Sequence, residues 1–141
     1  KPKEFNPMMI SLDIMATSLA AAGAKAEDLK NLDGVNLLPF IRGEKSTSPH
    51  KNLYWHKLWF SAMRNGPWKL IYVQDYGYAL YNLERDLSES KNLIKTQAKR
   101  AKQMIAQLND WKVGLEKPRW DEAELWFRTH SKNHIRIIEG E

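Results

Sequence analysis

Cysteine is absent from the 141 residues. That excludes a disulfide framework, cysteine-rich zinc sites and a thiol nucleophile. No run approaches the roughly 18 consecutive apolar residues that a membrane span needs, so no membrane partner is expected. There is no Gly-rich phosphate loop and no nucleophile elbow. The opening Lys1-Pro2-Lys3-Glu4-Phe5-Asn6-Pro7 carries no apolar stretch of signal-peptide type and no initiator methionine. Such a start suits a mature chain, or a piece of a longer one.

What is present is enough for one ordinary domain. With 43% hydrophobic and 11% aromatic residues the chain can bury a core, so wholesale disorder is not expected. Lysine and arginine number 22 against 17 acidic residues, a net charge of +5. An excess of that size favours anionic partners such as nucleic acid or sulfated glycans. It is also common in proteins that bind neither, so charge alone decides nothing.

Residues 7–22 read as a helix ending at Gly23, with Asn6 or Ser11 at its start and Leu12, Met15, Leu19 and Ala22 recurring at helical spacing. Only Ser11, Asp13, Thr17 and Ser18 are polar between Met8 and Ala22, so this helix requires cover on more than one side. Left bare, Met8–Ala22 should pack on the chain's own sheet, self-associate by swapping into a neighbour, or be disordered. Residues 24–50 form a connector, with a turn at Leu32-Asp33-Gly34-Val35 and an apolar plug at 36–41. From Leu53 the pattern becomes that of strands: 53–57, 59–64, 68–73 and 79–83. Asn65-Gly66 signals a hairpin between the second and third, and Pro67 beside it suggests a loop longer than two residues. Strand 68–73 is apolar on both faces, as a central strand would be. A second helix begins between Lys91 and Thr96 and runs to about Val113. Its stripe is Ile94, Ala98, Ala101, Ile105, Leu108, Trp111 and Leu115, with Lys95, Lys99, Arg100 and Lys102 mostly off it. The tail from Pro118, with Trp120, Trp126 and Phe127, is expected to lie along the domain surface.

Candidate sites are few. The histidines are His50, His56, His130 and His134. His130 and His134, four apart, would share a helix face as a metal pair must, but no third ligand is evident and no metal site is assigned. The lysines and arginine of the second helix could track a phosphate backbone, although such residues are usually a solvated face, and nucleic acid is not the favoured partner. Tyr54-Trp55-His56 and Trp59 form an aromatic, partly polar group suited to stacking on a sugar. A sheet face covered by another element is the plainer account of them. Should any residue touch substrate, the candidates are His56, Trp55, Trp59 and His50; none is assigned as catalytic.

The words of the sequence also fit a known pattern. Ser11-Leu12-Asp13-Ile14-Met15-Ala16-Thr17 with Leu19 and Ala22-Gly23 resembles the last helix of the catalytic domain in type I sulfatases of the arylsulfatase A kind. Leu32-Asp33-Gly34-Val35-Asn36-Leu37-Leu38-Pro39 and Gly43-Glu44 look like that family's connector. Ser48-Pro49-His50 with Leu53-Tyr54-Trp55 resembles the first strand of its C-terminal subdomain, and 62–71 its hairpin. Leu80-Tyr81-Asn82-Leu83 with Asp86, Glu89 and Asn92-Leu93 looks like its strand-to-helix turn. Pro118-Arg119-Trp120 is similar to the ending of bacterial members likened to N-acetylgalactosamine-6-sulfatases. The match runs in order over about residues 8–120. Ala16 and Leu87 stand where the family usually has proline.

The resemblance implies an α+β fold: a four-stranded antiparallel sheet packed by one long C-terminal helix, preceded by one helix left over from an α/β catalytic domain. Residues 1–45 would be that helix and connector, and 46–141 the C-terminal subdomain with its tail. It implies a sulfuric ester hydrolase acting on sulfated carbohydrate, with a formylglycine nucleophile and a bound calcium ion. In the family these lie in the larger N-terminal domain. The modification motif places cysteine or serine two residues before a proline and arginine two after it. Here Pro7, Pro39, Pro49, Pro67 and Pro118 are preceded at that distance by Phe5, Leu37, Thr47, Asn65 and Glu116, and Pro2 by nothing. The nucleophile is therefore missing, as is a closely spaced carboxylate set for the metal. The chain is expected to be a C-terminal fragment, inactive alone, that buttresses the parent catalytic domain. The parent is expected to be exported: periplasmic, extracellular or lysosomal. The alternative is a small basic binding module for sulfated glycan or nucleic acid.

Overall fold

The computed structural model describes residues 4–25, 27–120 and 124–139, with backbone alone for 124–130 and 133. Packing divides the chain into two units, Lys1–Leu53 and Tyr54–Glu141, where the family resemblance implies a division at 45.

In the first unit, helix α1 spans Leu12–Ala21 and the short helix α2 spans Leu38–Ile41, which packs against it. Ser11 occupies the N-cap, but its hydroxyl makes no capping bond. Asp13 takes over that work. Its Oδ2 accepts from the Ile10 N–H at 2.9 Å and its Oδ1 from the Val35 N–H at 2.8 Å. His50 Nε2 donates to both oxygens, at 2.9 and 2.8 Å. One turn on, Thr17 Oγ1 accepts from the Leu37 N–H at 3.0 Å. The connector is thus tied to the polar side of α1. It comes so close that a Cβ on Gly34 would sit 2.1 Å from the Leu12 carbonyl oxygen.

This tie fixes the rotation of α1. The fully buried residues of the helix are Asp13 and Ala16, while Ile14 and Met15 are 68% and 59% exposed and Leu12 is exposed beside them. The apolar stripe Leu12–Met15–Leu19 is therefore not the buried face. A buried carboxylate must keep all its donors or incur several kcal/mol of desolvation, and that requirement outweighs covering a few apolar side chains. Nor is the segment disordered: α1 is ordered by its own connector. The helix is also shorter than 7–22, and it ends at Gly23 as expected.

The second unit is built on strands β1 (Asn52–Lys57), β2 (Phe60–Asn65), β3 (Trp68–Val73) and β4 (Gly77–Asn82), in that order across one sheet, with β2–β3 and β3–β4 antiparallel. Asn65 pairs with Trp68, so the loop is Gly66-Pro67, two residues and no longer. A positive φ of 54° at Gly66 followed by proline, whose ring fixes φ near −65°, is the type II′ pattern. Pro67 needs no donor there, which is why it does not lengthen the loop.

Register then sorts the side chains onto two faces. Met63, Leu70 and Leu80 lie side by side on one face and meet Ala101, Met104 and Leu108 of helix α3, Ala98–Val113. Ala62, Ile71 and Ala79 lie on the other with Val73 and Tyr81, packed by Ile135, Ile137 and Ile138 of helix α4, Glu124–Glu139. The tail is thus not simply laid along the surface: it forms a second covering helix. The α+β class and the four-stranded antiparallel sheet are as expected. Trp126 and Phe127 lie outside the described side chains.

Helix α3 starts later than Thr96 because the residues before it serve β4. Leu80 N–H donates to Asn92 Oδ1 and Leu93 N–H donates to the Leu80 carbonyl, at 3.1 and 2.8 Å. Arg100 is not part of a solvated face: its guanidinium lies 4.5 Å from the Trp68 ring centroid. Ala98, placed on the apolar stripe by spacing, is exposed, and Met104 is buried in its stead.

Two outcomes follow for stability. Leu80, fully buried beneath α3, should cost about 2–5 kcal/mol on truncation to alanine, read by urea unfolding. For Asp13, burial raises the pKa, yet the Val35 and Ile10 N–H groups and His50 outweigh it and hold the carboxyl below its ordinary 3.8. A lowered folded value means the contribution is present above 3.8 and is lost as pH falls through the folded value. The protection factors of the α1 amides, exchange rates corrected for the intrinsic rate at each pH, should therefore fall in acid below pH 4. Asp13→Asn should destabilise the unit by roughly 2 kcal/mol at pH 7 and flatten that acid dependence.

Candidate functional site

Strand alternation decides where the candidate residues go. Tyr54 stacks on Trp111 of α3, with centroids 4.9 Å apart and planes 13° apart. His56 shares its parity and so belongs to the α3 side of β1, whereas Trp55 and Lys57 belong to the α4 side. Trp55 and His56, adjacent in sequence, thus start from opposite faces, although both line the hollow on the α4 side. Two hollows result, and His56 at the sheet edge touches both.

The hollow on the α4 side has a volume of about 550 Å³. Trp55, Phe60, Ala62 and Ile71 give it apolar walls, while Ser61, Lys69 and His134 add polar groups. Trp55 is 40% exposed at its rim. Lys69 Nζ pairs with Glu89 Oε1 at 2.5 Å, both partly buried. His134 is held below its usual 6.5, first by burial and then by the Lys69 charge, with Glu89 opposing. At pH 7 its imidazole is therefore neutral. Lys57 also lines this space, which has no carboxylate among its described lining residues, so the hollow joins an apolar ring-sized wall to cationic and hydrogen-bonding groups.

The second hollow, of about 440 Å³, lies beside the end of α3 and is lined by His56, Trp111, Leu115, Glu116, Pro118 and Trp120, with Lys57 and Leu58. His56 is held firmly. Its Nδ1 lies 3.2 Å from the Phe60 carbonyl oxygen and 2.9 Å from Ser61 Oγ. A carbonyl only accepts, so Nδ1 carries the proton, and in the neutral ring Nε2 is an acceptor. No hydrogen bond is made by Nε2 among the described residues.

The other candidates are placed elsewhere. His50 belongs to the first unit, where its ring is committed to Asp13. Trp59 sits in the turn between β1 and β2, its carbonyl accepting from the Gln74 N–H at 2.9 Å; it lines neither hollow. The side chain of His130 lies outside those described, so the His130/His134 pair is not placed. Among the described residues no three His, Cys, Asp or Glu side chains converge as a metal site would require, and none of their helices is long and apolar enough to cross a membrane. The sequence reading missed Lys69 and Trp111 as lining residues of the hollows, and Glu89 as the partner of Lys69. Lys69 sits between Trp68 and Leu70 in an apolar strand, which was a signal in itself.

No family model matches the chain. It is 39% identical over 103 residues to the uncharacterized sulfatase YdeN of Escherichia coli (strain K12), which covers 67% of this chain and 18% of that protein. Among solved structures it is similar to Ps i-CgsB, with a TM-score of 0.68 and 26% identity over 96% of this chain and 30% of that one. That protein has also been seen in complex with k-i-k-neocarrahexaose. It is similar as well to BT1596, a 2-O GAG sulfatase, with a TM-score of 0.58 and 27% identity over 70% of this chain and 23% of that one. The chain thus spans less than a third of the length of each of these proteins. Sequence and fold together relate it to the sulfatases, and it resembles the C-terminal portion of the type I members.

Proposed function

We propose that these residues serve as the C-terminal part of an enzyme that hydrolyses sulfate esters of carbohydrate, and that the bond-breaking groups lie outside them. The observation that carries this reading is a conjunction. The chain has sulfatase-like sequence and fold, yet it contains no cysteine and no serine two residues before a proline. The residues present therefore do not fit a formylglycine, and among the described residues no set of carboxylates fits the calcium ion that would accompany it. No chemical step is assigned to this chain. Its role is mechanical and positional: α1, with its exposed apolar face, and the helix-covered sheet buttress a catalytic domain. That domain is the proposed cover of Ile14 and Met15.

The substrate class rests on the relatives, one a GAG sulfatase and one bound to a carrageenan oligosaccharide, and on the aromatic and hydroxyl-binding character of the hollows. Trp55 and His56 are the proposed rim residues. Trp59 and His50 are weaker choices, the latter because Asp13 occupies its ring. Export of the parent protein belongs to the same reading.

The gene product that contains these residues should encode a Cys- or Ser-x-Pro-x-Arg motif. Co-expressing the remainder of that product with this chain should yield aryl sulfate turnover that neither piece gives alone. Turnover by the remainder at the full rate without this chain would contradict the buttressing role. In the joined enzyme, Trp55→Ala should raise KM for a sulfated oligosaccharide more than it lowers kcat.

A further inference from the structure

Trp120 is 78% exposed, although a large indole normally finds cover. It stands at the edge of the hollow beside the end of α3, where three other features converge. Trp111, Leu115 and Pro118 form an apolar wall, and Trp111 is fixed there by its stack on Tyr54. His56 presents a ring whose tautomer is set by Phe60 and Ser61, so that in the neutral form Nε2 has a lone pair with no partner among the described residues. Glu116 contributes an exposed carboxylate, 3.7 Å from Arg119.

We infer that this hollow is a subsite for an uncharged sugar ring, stacked on Trp120 with its hydroxyls donating to His56 Nε2 and the Glu116 carboxylate. A pyranose offers an apolar C–H face on one side and hydroxyl donors around its rim. An indole platform with acceptors beside it matches that pattern. The volume, about 440 Å³, falls within the roughly 300–1,000 Å³ usual for ligand sites. With Arg119 beside Glu116 and Lys57 also in the lining, net charge does not select the ligand, and the preference for an unsulfated ring rests on the apolar stacking face and the two acceptors. The hollow would therefore grip an unsulfated residue of an oligosaccharide at a distance from the ester being cleaved. The choice of a carbohydrate probe rests on the reading above; the binding itself requires no turnover.

The test is a titration of the isotopically labelled 141-residue chain with a desulfated carrageenan hexasaccharide and with its sulfated counterpart, followed by the Trp120 indole N–H and the His56 imidazole signals. Both signals should move with the desulfated probe at millimolar concentration. Trp120→Ala should weaken binding roughly tenfold with an unchanged circular dichroism spectrum, since Trp120 is exposed. Trp120→Phe should weaken it less, and His56→Ala should also weaken it. Tyr76→Ala, an exposed aromatic in the β3–β4 turn, should bind as the parent does. Stationary Trp120 signals, or a Trp120→Ala chain that binds normally, would overturn the assignment. So would binding confined to the sulfated probe and abolished by salt, which would reveal charge recognition instead. None of these results bears on aryl sulfate turnover, so the two readings fail separately.

Discussion

Two apolar faces on one antiparallel sheet require two covers, and within Tyr54–Glu141 helices α3 and α4 supply them. The constraint originates in β3 and β4. Leu70 and Leu80 point one way and Ile71 and Ala79 the other, each pair in register. With both faces buried, a one-residue slip would exchange two different cores, so the pairing is tightly specified. Everything functional in this unit inherits that register. The parity that sends Leu70 to α3 also sends Tyr54 and His56 to the α3 side of β1 and Trp55 to the other. The two hollows meet at this edge strand, where His56 and Lys57 line both.

The first unit obeys a different rule. It has no large core, and its organisation comes from one buried carboxylate. Asp13 collects two backbone N–H groups and one imidazole, drawing together the start of α1, the turn at Val35 and the end of the connector at His50. Satisfying that charge aims Ile14 and Met15 outward. A helix rotated this way is poorly suited to isolation and well suited to a larger apolar partner. This agrees with a chain that spans under a third of the proteins it resembles.

Much of this was legible in the residues. Period-two alternation placed β3 as a central strand, Gly66 marked the hairpin, and the stripe Ala101–Ile105–Leu108–Trp111 marked α3. The ordered motifs of 8–120 pointed to the sulfatase family before any fold was in view. What was not legible depended on partners distant in sequence. The orientation of α1 could not be read from hydrophobic periodicity, which ranks Leu12 and Met15 above a lone aspartate. Its donors at Val35 and His50 come from 22 and 37 residues away. The second cover was missed because its aromatic-rich start at Trp126 and Phe127 drew attention from Ile135, Ile137 and Ile138, which meet the sheet. Trp55 and His56 were grouped by adjacency, though strand parity separates them. His50 looked like a free ring until Asp13 accounted for it.

The account depends most on the claim that sulfate ester chemistry is supplied by residues beyond these 141. The direct measurement is a stopped assay of the purified chain with para-nitrophenyl sulfate, with and without added calcium. The result expected is release of para-nitrophenol no faster than in the protein-free blank under either condition. Release above the blank that disappears on substituting His56 or Lys69 would place the chemistry inside the chain and contradict the account.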